Sequence, residues 1–266
     1  GAVHGKPSFA PGKVGQGIVL DGEHDFVDCG PWPQELTGEF TIQCWVKPAA
    51  SQNTCADLFG NHFHGALGIA LEQDGGNTNQ FAAHYGAEGG RWVSTRPVRL
   101  VADRWQHVAV VKTSEELRLF VNGILLGSAR DSAPVAASPQ PFRIGQSLGL
   151  DSRCFRGQID AFRVHRQALA EFREQVSDED RLETIVGNLG LTVRPCVASR
   201  IFDREHPPEF DLSYDAPHVP QAVEQFTAAL QCVDLAGKNH PIEPVTLDAK
   251  AGFRAKVRLS LDTGFY

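Results

Sequence analysis

Four side chains in one short stretch carry the plainest chemistry in this sequence: His84, Tyr85, Arg91 and Trp92. An exposed aromatic ring stacks on the apolar face of a sugar, while imidazole and guanidinium groups donate to hydroxyls or carboxylates. This quartet is the candidate ligand site; a core or edge-packing role is the competing reading for Trp92, and Trp45 and Trp105 are expected in the core. His62 and His64, two apart in Asn61-His62-Phe63-His64, would share a face on a strand, but no third ligand follows at a telling spacing, so they read as exposed loop histidines. Glu23, Asp25 and Asp28 imitate the alternating carboxylates of a retaining glycosidase. Two carboxyl groups about 5 Å apart need a rigid strand to hold them, whereas this run follows the turn Asp21-Gly22, so it reads as solvated turn carboxylates. No catalytic residue is assigned.

The elements that must position these groups are β-strands. Up to about residue 168 the chain is a series of short alternating or apolar runs separated by Gly, Pro, Asn and Asp, which is the pattern of a sandwich. Phe40 to Val46 alternates its two faces, and Leu117 to Leu126 places Asn122-Gly123 between apolar runs, the sign of a tight hairpin. Further strands are expected at Gly17 to Leu20, Phe26 to Val27, Leu67 to Leu71, Gln80 to Tyr85, Trp92 to Ser94, His107 to Val111, Phe142 to Ile144 and Gln158 to His165. Gln167 to Val186 reads as the one helical region, with Ala168, Leu169 and Phe172 on one side and a restart capped at Ser177. From Leu191 the pattern is β again, with strands expected in Leu191 to Val197, Val223 to Leu235, Val245 to Ala249 and Phe253 to Leu261. A turn is expected at Ala236 to Asn239, and Pro207, Pro208, Pro217 and Pro220 are placed in loops or edge strands.

The chain of 266 residues is long enough for two domains. Its net charge of -7, without a run of Lys or Arg, argues against nucleic acid or an anionic membrane as partner. No stretch of about 18 apolar residues could span a bilayer, so no membrane insertion is expected, and Gly1 to Lys13 lack the apolar core of a signal peptide. With no Met and an end at Gly264-Phe265-Tyr266, the sequence reads as a fragment. Cys29, Cys44, Cys55, Cys154, Cys196 and Cys232 lack zinc-finger spacing and are compatible with either disulfides or buried thiols.

Several motifs stand in order. Gly12-Lys13-Val14-Gly15-Gln16-Gly17 leads into Ile18-Val19-Leu20-Asp21-Gly22 and Asp25-Phe26-Val27, then Phe40-Thr41-Ile42 with Trp45-Val46-Lys47-Pro48. Asp103-Arg104-Trp105-Gln106-His107-Val108-Ala109-Val110, Phe120-Val121-Asn122-Gly123 and Gly157-Gln158-Ile159-Asp160-Ala161-Phe162-Arg163-Val164 follow. Together they resemble laminin-G-like jelly-roll domains of the concanavalin A-like kind over roughly residues 10–175. The family's hairpin usually has Asp in place of Asn122, and its extra strand and Asp-containing loop ahead of the first motif are not present here, so the first strand is expected to be truncated. The resemblance implies an all-β jelly-roll sandwich over 1–170, a helical linker over 171–190 and, more weakly, a smaller immunoglobulin-like sandwich over 191–266.

It also implies structural calcium near Asp21, Asp25 and Asp160, calcium being held by several hard oxygen ligands. In the competing reading Asp21 makes a turn with Gly22, and Asp160 accepts backbone N–H groups at a strand end. The function implied is a non-catalytic carbohydrate-binding or adhesion module of a larger exported protein, extracellular or at the cell envelope, with a polysaccharide or glycoprotein as partner. The alternatives are the ancillary front end of a glycoside hydrolase, whose catalytic domain lies downstream, or a purely structural spacer or protein-interaction module.

Overall fold

The computed structural model describes residues 1–76, 79–146, 153–172, 176–177, 180–181, 184, 188, 191–195, 209–214, 225–228, 231–233, 239–252 and 254–258. The chain divides into two units, Gly1–Thr184 and Ile185–Tyr266.

Fifteen strands build the first unit. They are β1 (Ala2–His4), β2 (Ser8–Pro11), β3 (Gln16–Asp21), β4 (Phe26–Pro31), β5 (Phe40–Pro48), β6 (Asp57–Gly60), β7 (Ile69–Gln73), β8 (Gln80–Ala87), β9 (Arg91–Ser94), β10 (Val98–Arg99), β11 (Gln106–Lys112), β12 (Glu116–Val121), β13 (Ile124–Arg130), β14 (Pro141–Ile144) and β15 (Arg156–His165). Eight lie in one antiparallel sheet, ordered β1-β4-β14-β6-β7-β8-β10 with β9 also on β8. The other seven run β13-β12-β11-β5-β15-β3-β2. Neighbours in space are often distant in sequence, as in a jelly roll. The expected all-β, concanavalin A-like sandwich is what the first unit forms.

Period-2 alternation decides which side chains become core. On β5, Phe40, Ile42, Cys44 and Val46 are fully buried, and their register partners on β11 include Val108 and Val110. From the facing sheet, Phe59, Ile69, Leu71, Phe81 and Tyr85 complete the interior. Each such side chain contributes about 1.5–3 kcal/mol through burial. The opposite face of β11 and β12 is also covered: Ala109, Val111 and Phe120 pack with Phe172, Ala168 and Leu169. That packing corrects the expected helix, since Ala168–Phe172 has no helical structure. Thr41 Oγ1 donates to the Gln167 carbonyl at 2.8 Å and accepts the Leu169 N–H at 2.9 Å, fixing the segment as an irregular strap. The cap at Ser177 is present: its Oγ accepts the Asp180 N–H at 3.1 Å. Most of the expected helix beyond Phe172 lies outside the described residues.

Other differences are local. β1 and β2 stand ahead of the Gly12 motif, where no strand was expected. β6 and β10 were missed too; β6 is only four residues long and carries Asp57 and Gly60, which break its apolar pattern. Trp45 is core, but Trp105 is only half-buried. Cys29, Cys44 and Cys55 are free thiols, and Cys154 Sγ accepts a hydrogen bond from Gln146 Nε2 at 3.3 Å.

The hairpin turn is as read. Asn122 and Gly123 have φ of +50° and +74°, which only Gly, Asn and Asp adopt readily. The Asn122 side chain accepts the His107 N–H at 2.8 Å and donates to Thr184 Oγ1 at 2.9 Å. Asn122→Ala strains the turn and strands a buried N–H, so urea denaturation is expected to register a loss of about 2 kcal/mol.

The second unit is β throughout much of its described part. Its strands are β16 (Leu191–Pro195), β17 (Glu209–Tyr214), β18 (Gln225–Ala228), β19 (Gln231–Val233), β20 (Asn239–Pro241), β21 (Val245–Asp248) and β22 (Arg254–Arg258). They pair antiparallel as β16-β17-β22, β18-β21 and β19-β20, with Leu212, Leu247 and Val257 buried. β17 and β20 were not anticipated. These pairings establish the β class of the unit and do not by themselves give it an immunoglobulin-like strand order. Residues 236–238 of the expected turn, together with Pro207, Pro208, Pro217 and Pro220, lie outside the described residues.

Candidate functional site

Alternation along β8 and β9 divides the four residues of the expected ligand site, His84 and Tyr85 being neighbours on β8 and Arg91 and Trp92 on β9. Tyr85 points inward and is fully buried; its hydroxyl donates to Asp131 Oδ1 at 3.2 Å and the Ala133 carbonyl at 3.1 Å. Arg91 pairs with the same Asp131 and holds that carboxyl down, near pKa 2. Tyr85 and Arg91 therefore form a structural bracket around Asp131. The other two members, His84 and Trp92, come together on the outer face of the eight-stranded sheet, with ring centroids 5.3 Å apart, edge to face. Trp92 is 44% exposed, which excludes the core reading.

Three residues join them that the sequence did not assign to this site. His62, expected to be exposed, is buried, with its ring 5.2 Å from His84 and 6.1 Å from Trp92. Glu72, on β7, places Oε2 3.4 Å from His84 Nε2 and 3.7 Å from His62 Nε2. Arg153 puts Nη1 3.1 Å from Glu72 Oε1 and 3.4 Å from His62 Nε2. Behind them the fully buried Asp57 carboxylate stands 3.6 Å from His62 Nδ1 and 3.9 Å from Arg153 Nη1. His64, by contrast, is exposed, and its ring contact is with Phe63.

The loop from Asn61 to Gly68 makes this possible. Asn61 exchanges two hydrogen bonds with Ile69, donating its N–H to the Ile69 carbonyl at 2.9 Å and accepting the Ile69 N–H on Oδ1 at 3.0 Å. Phe63 and Leu67 close a small bridge, and the Gly86 N–H donates to the Gly68 carbonyl at 2.8 Å. The loop thus lies down on β8 and presses His62 towards His84. A sequence signal existed in the Gly-rich, His-bearing loop, but Glu72 and Arg153 stand 10 and 91 residues beyond His62.

Burial governs the electrostatics. It pushes His62 down to about pKa 3 and His84 to about 4, so both imidazoles are neutral near pH 7. Burial raises the Glu72 carboxyl, and Arg153 opposes it. The face therefore offers an aromatic ring, two neutral imidazoles and a carboxylate–guanidinium pair. Such a set can stack on and hydrogen-bond to a polyhydroxylated ligand, or ligate a cation.

The three expected calcium residues do not form one set. Asp21 pairs with Arg156 across the β3–β15 ladder, and Ile18 pairs with Ile159, next to Asp160. Asp21 and Asp160 are thus about four residues apart along the ladder, roughly 13 Å at the usual strand rise. Their oxygens already meet donors. Asp21 Oδ1 accepts the N–H groups of Glu23, His24 and Asp25; Asp25 accepts those of Lys6 and Asp21; Asp160 accepts those of Val14 and Ala161. These hydrogen bonds tie the loops to the strands. Asp28, the last carboxylate of the glycosidase-like run, faces Arg143 at 3.4 Å.

No curated protein matches the chain. The binding domain of Paraclostridial Mosquitocidal Protein 1 superposes over 94% of this chain and 70% of its own, with a TM-score of 0.51 and 12% identity, which supports the fold. Domain 4 of the extracellular arabinanase AbnA from Geobacillus stearothermophilus, in complex with arabinotriose, shares 23% identity over 62% of this chain and 78% of its own, with a TM-score of 0.48. Mouse laminin alpha1 domains LG4-5 share 15% identity over 58% and 44%, with a TM-score of 0.44. The Laminin_G_3 family model, described as the Concanavalin A-like lectin/glucanases superfamily, matches residues 21–172, more than half of the chain, and the protein belongs to that family.

Proposed function

We propose that the first unit is a carbohydrate-binding module whose ligand surface is the outer face of the eight-stranded sheet around Trp92, His84 and the Glu72–Arg153 pair. The observation that carries this reading is Trp92, a 44% exposed ring held edge-on by two histidine rings beside a charged pair. A ring fixed in this way has little side-chain freedom left to lose when a sugar stacks on it, while Arg153 and Glu72 can serve hydroxyls as donor and acceptor. Membership in a lectin and glucanase superfamily agrees with such a role, and fold alone would not establish it. The same reading puts the parent protein outside the cell or at its envelope, where polysaccharides and glycoproteins are met. The second unit is read as an immunoglobulin-like spacer.

A glycan array probed with the full chain in EDTA is the test, followed by titration of the best ligand. Trp92→Ala is expected to weaken that ligand by about tenfold or more, corresponding to about 1.4 kcal/mol, with little change in the unfolding midpoint. Equal affinity in Trp92→Ala would move the site off this face. Absence of any glycan ligand would leave the spacer reading in its place.

A further inference from the structure

His62, Glu72 and His84 are arranged as ligands rather than as a chance cluster. Their donor atoms, two imidazole nitrogens and one carboxylate oxygen, all lie within 4.8 Å of one another. Ligand bonds of about 2.0–2.1 Å put neighbouring donors of a tetrahedral zinc site about 3.4 Å apart. The separations of Glu72 Oε2 from His84 Nε2 and His62 Nε2 are 3.4 and 3.7 Å. The two oxygens of Glu72 are also divided in their roles. Arg153 takes Oε1 at 3.1 Å, leaving Oε2 directed between the imidazoles.

The surroundings prepare the same site. Asp57 stands at Nδ1 of His62, on the side away from Glu72, the position from which a carboxylate orients a metal-bound histidine. Arg153 Nη1 approaches His62 Nε2 at 3.4 Å, which suits an unprotonated Nε2. The two imidazoles come from the pinned loop and from β8, and the carboxylate comes from β7, so the backbone fixes all three. Another trio, Asp21, Glu23 and His24, has similar spacing, but it is wholly exposed and Asp21 Oδ1 already accepts three N–H groups.

We infer that His62 Nε2, Glu72 Oε2 and His84 Nε2 bind a divalent transition-metal ion on the outer face of the eight-stranded sheet. Two nitrogens and one oxygen suit zinc, copper, nickel or cobalt rather than calcium or magnesium. Three protein ligands leave at least one coordination position to water. Arg153 stays on Glu72 Oε1 and yields its place at His62 to the ion. This site shares His84 and Glu72 with the proposed glycan surface, and metal binding there does not require a glycan.

The experiment is calorimetric titration of the EDTA-stripped, dialysed full chain with zinc chloride, in the absence of any glycan. One equivalent is expected to bind with a dissociation constant in the micromolar range or tighter, and cobalt is expected to show the visible absorption of a nitrogen-ligated, low-coordinate site. His84→Ala and Glu72→Gln are expected to lose that equivalent, while His24→Ala and His64→Ala keep it. Should the ligand variants misfold by circular dichroism, side-chain nitrogen NMR of the wild-type chain decides: zinc must shift the ring resonances of His62 and His84 and leave the other histidines in place. No zinc binding to the wild-type chain, an equivalent retained in folded His84→Ala and Glu72→Gln, or shifts at other histidines alone would overturn the site. Because no sugar is present, none of these outcomes bears on the glycan reading.

Discussion

Gly86→Ala is expected to cost about 3 kcal/mol or more in urea denaturation and to break up the candidate site with it. A Cβ at Gly86 would lie 1.8 Å from the Ala66 carbonyl oxygen and 2.4 Å from the Leu67 nitrogen. Both are backbone atoms of the loop that carries His62, so no side-chain rotation can relieve the clash. The loop is also tied down nearby: the Gly68 N–H donates to the Ala136 carbonyl at 2.8 Å, and the Ala136 N–H donates to the Gly86 carbonyl at 2.7 Å. Making room for one methyl group therefore means lifting the loop by more than 1 Å, a shift that follows from ordinary van der Waals separation. His62 then moves away from His84 and Glu72. Gly38→Ala is the matched control, because its Cβ would meet nothing within 4 Å and its expected change is near zero. Equal stability of the two variants would show that the loop does not lie on β8 as described.

Acid is expected to weaken the first unit through His107. This residue is buried on β11 between the rings of Trp45 and Phe172, each 5.5 Å away. Nε2 is 2.9 Å from Gln43 Oε1, and Gln43 Nε2 is 2.6 Å from His165 Nε2, which assigns the His107 proton to Nε2. Nδ1 has no hydrogen-bond partner among the described residues, as suits an uncharged ring. Burial, assisted by the Arg163 charge, lowers its pKa from 6.5 to about 4.

As pH falls below about 6.5 the unfolded chain takes up a proton that the folded chain refuses. Stability is thus complete above that pH and is lost as pH falls towards about 4. The loss reaches about 3 kcal/mol at most for this residue. His107→Gln cannot titrate, so it is expected to be the less stable protein near neutral pH, with the difference from wild type shrinking in urea titrations towards about pH 4. A difference that does not change with pH would mean that His107 is not buried neutral.

Residues that act through short-range rules were legible without a structure. Asp21-Gly22 and Asn122-Gly123 announce turns because few residues tolerate positive φ, and Gly22, Asn122 and Gly123 have φ of +76°, +50° and +74°. Phe40 to Val46 announces a central strand because one of its two faces must be apolar for a sandwich to close. The ordered motifs of residues 12–164 carry the family likeness for the same reason, each being a local solution to a turn or a buried strand. Where locality failed, so did the reading. Ala168, Leu169 and Phe172 have helical spacing, yet they form a strap because Phe120, Val111 and Ala109 offer an apolar sheet face to cover.

The site itself belongs to the second kind of information. Sequence alone determined an all-β chain with a laminin-G-like first part, and it picked out His84 and Trp92 as chemically able. Only the tertiary structure decided that Tyr85 and Arg91 serve Asp131, and that His62, Glu72 and Arg153 join the other two. It likewise set Asp160 apart from Asp21 and Asp25. The physical reason is register. Alternation tells which side chains share a face of one strand, but the residue that stands opposite is fixed by which strands pair and by how far each slides. In a jelly roll those partners come from distant parts of the chain.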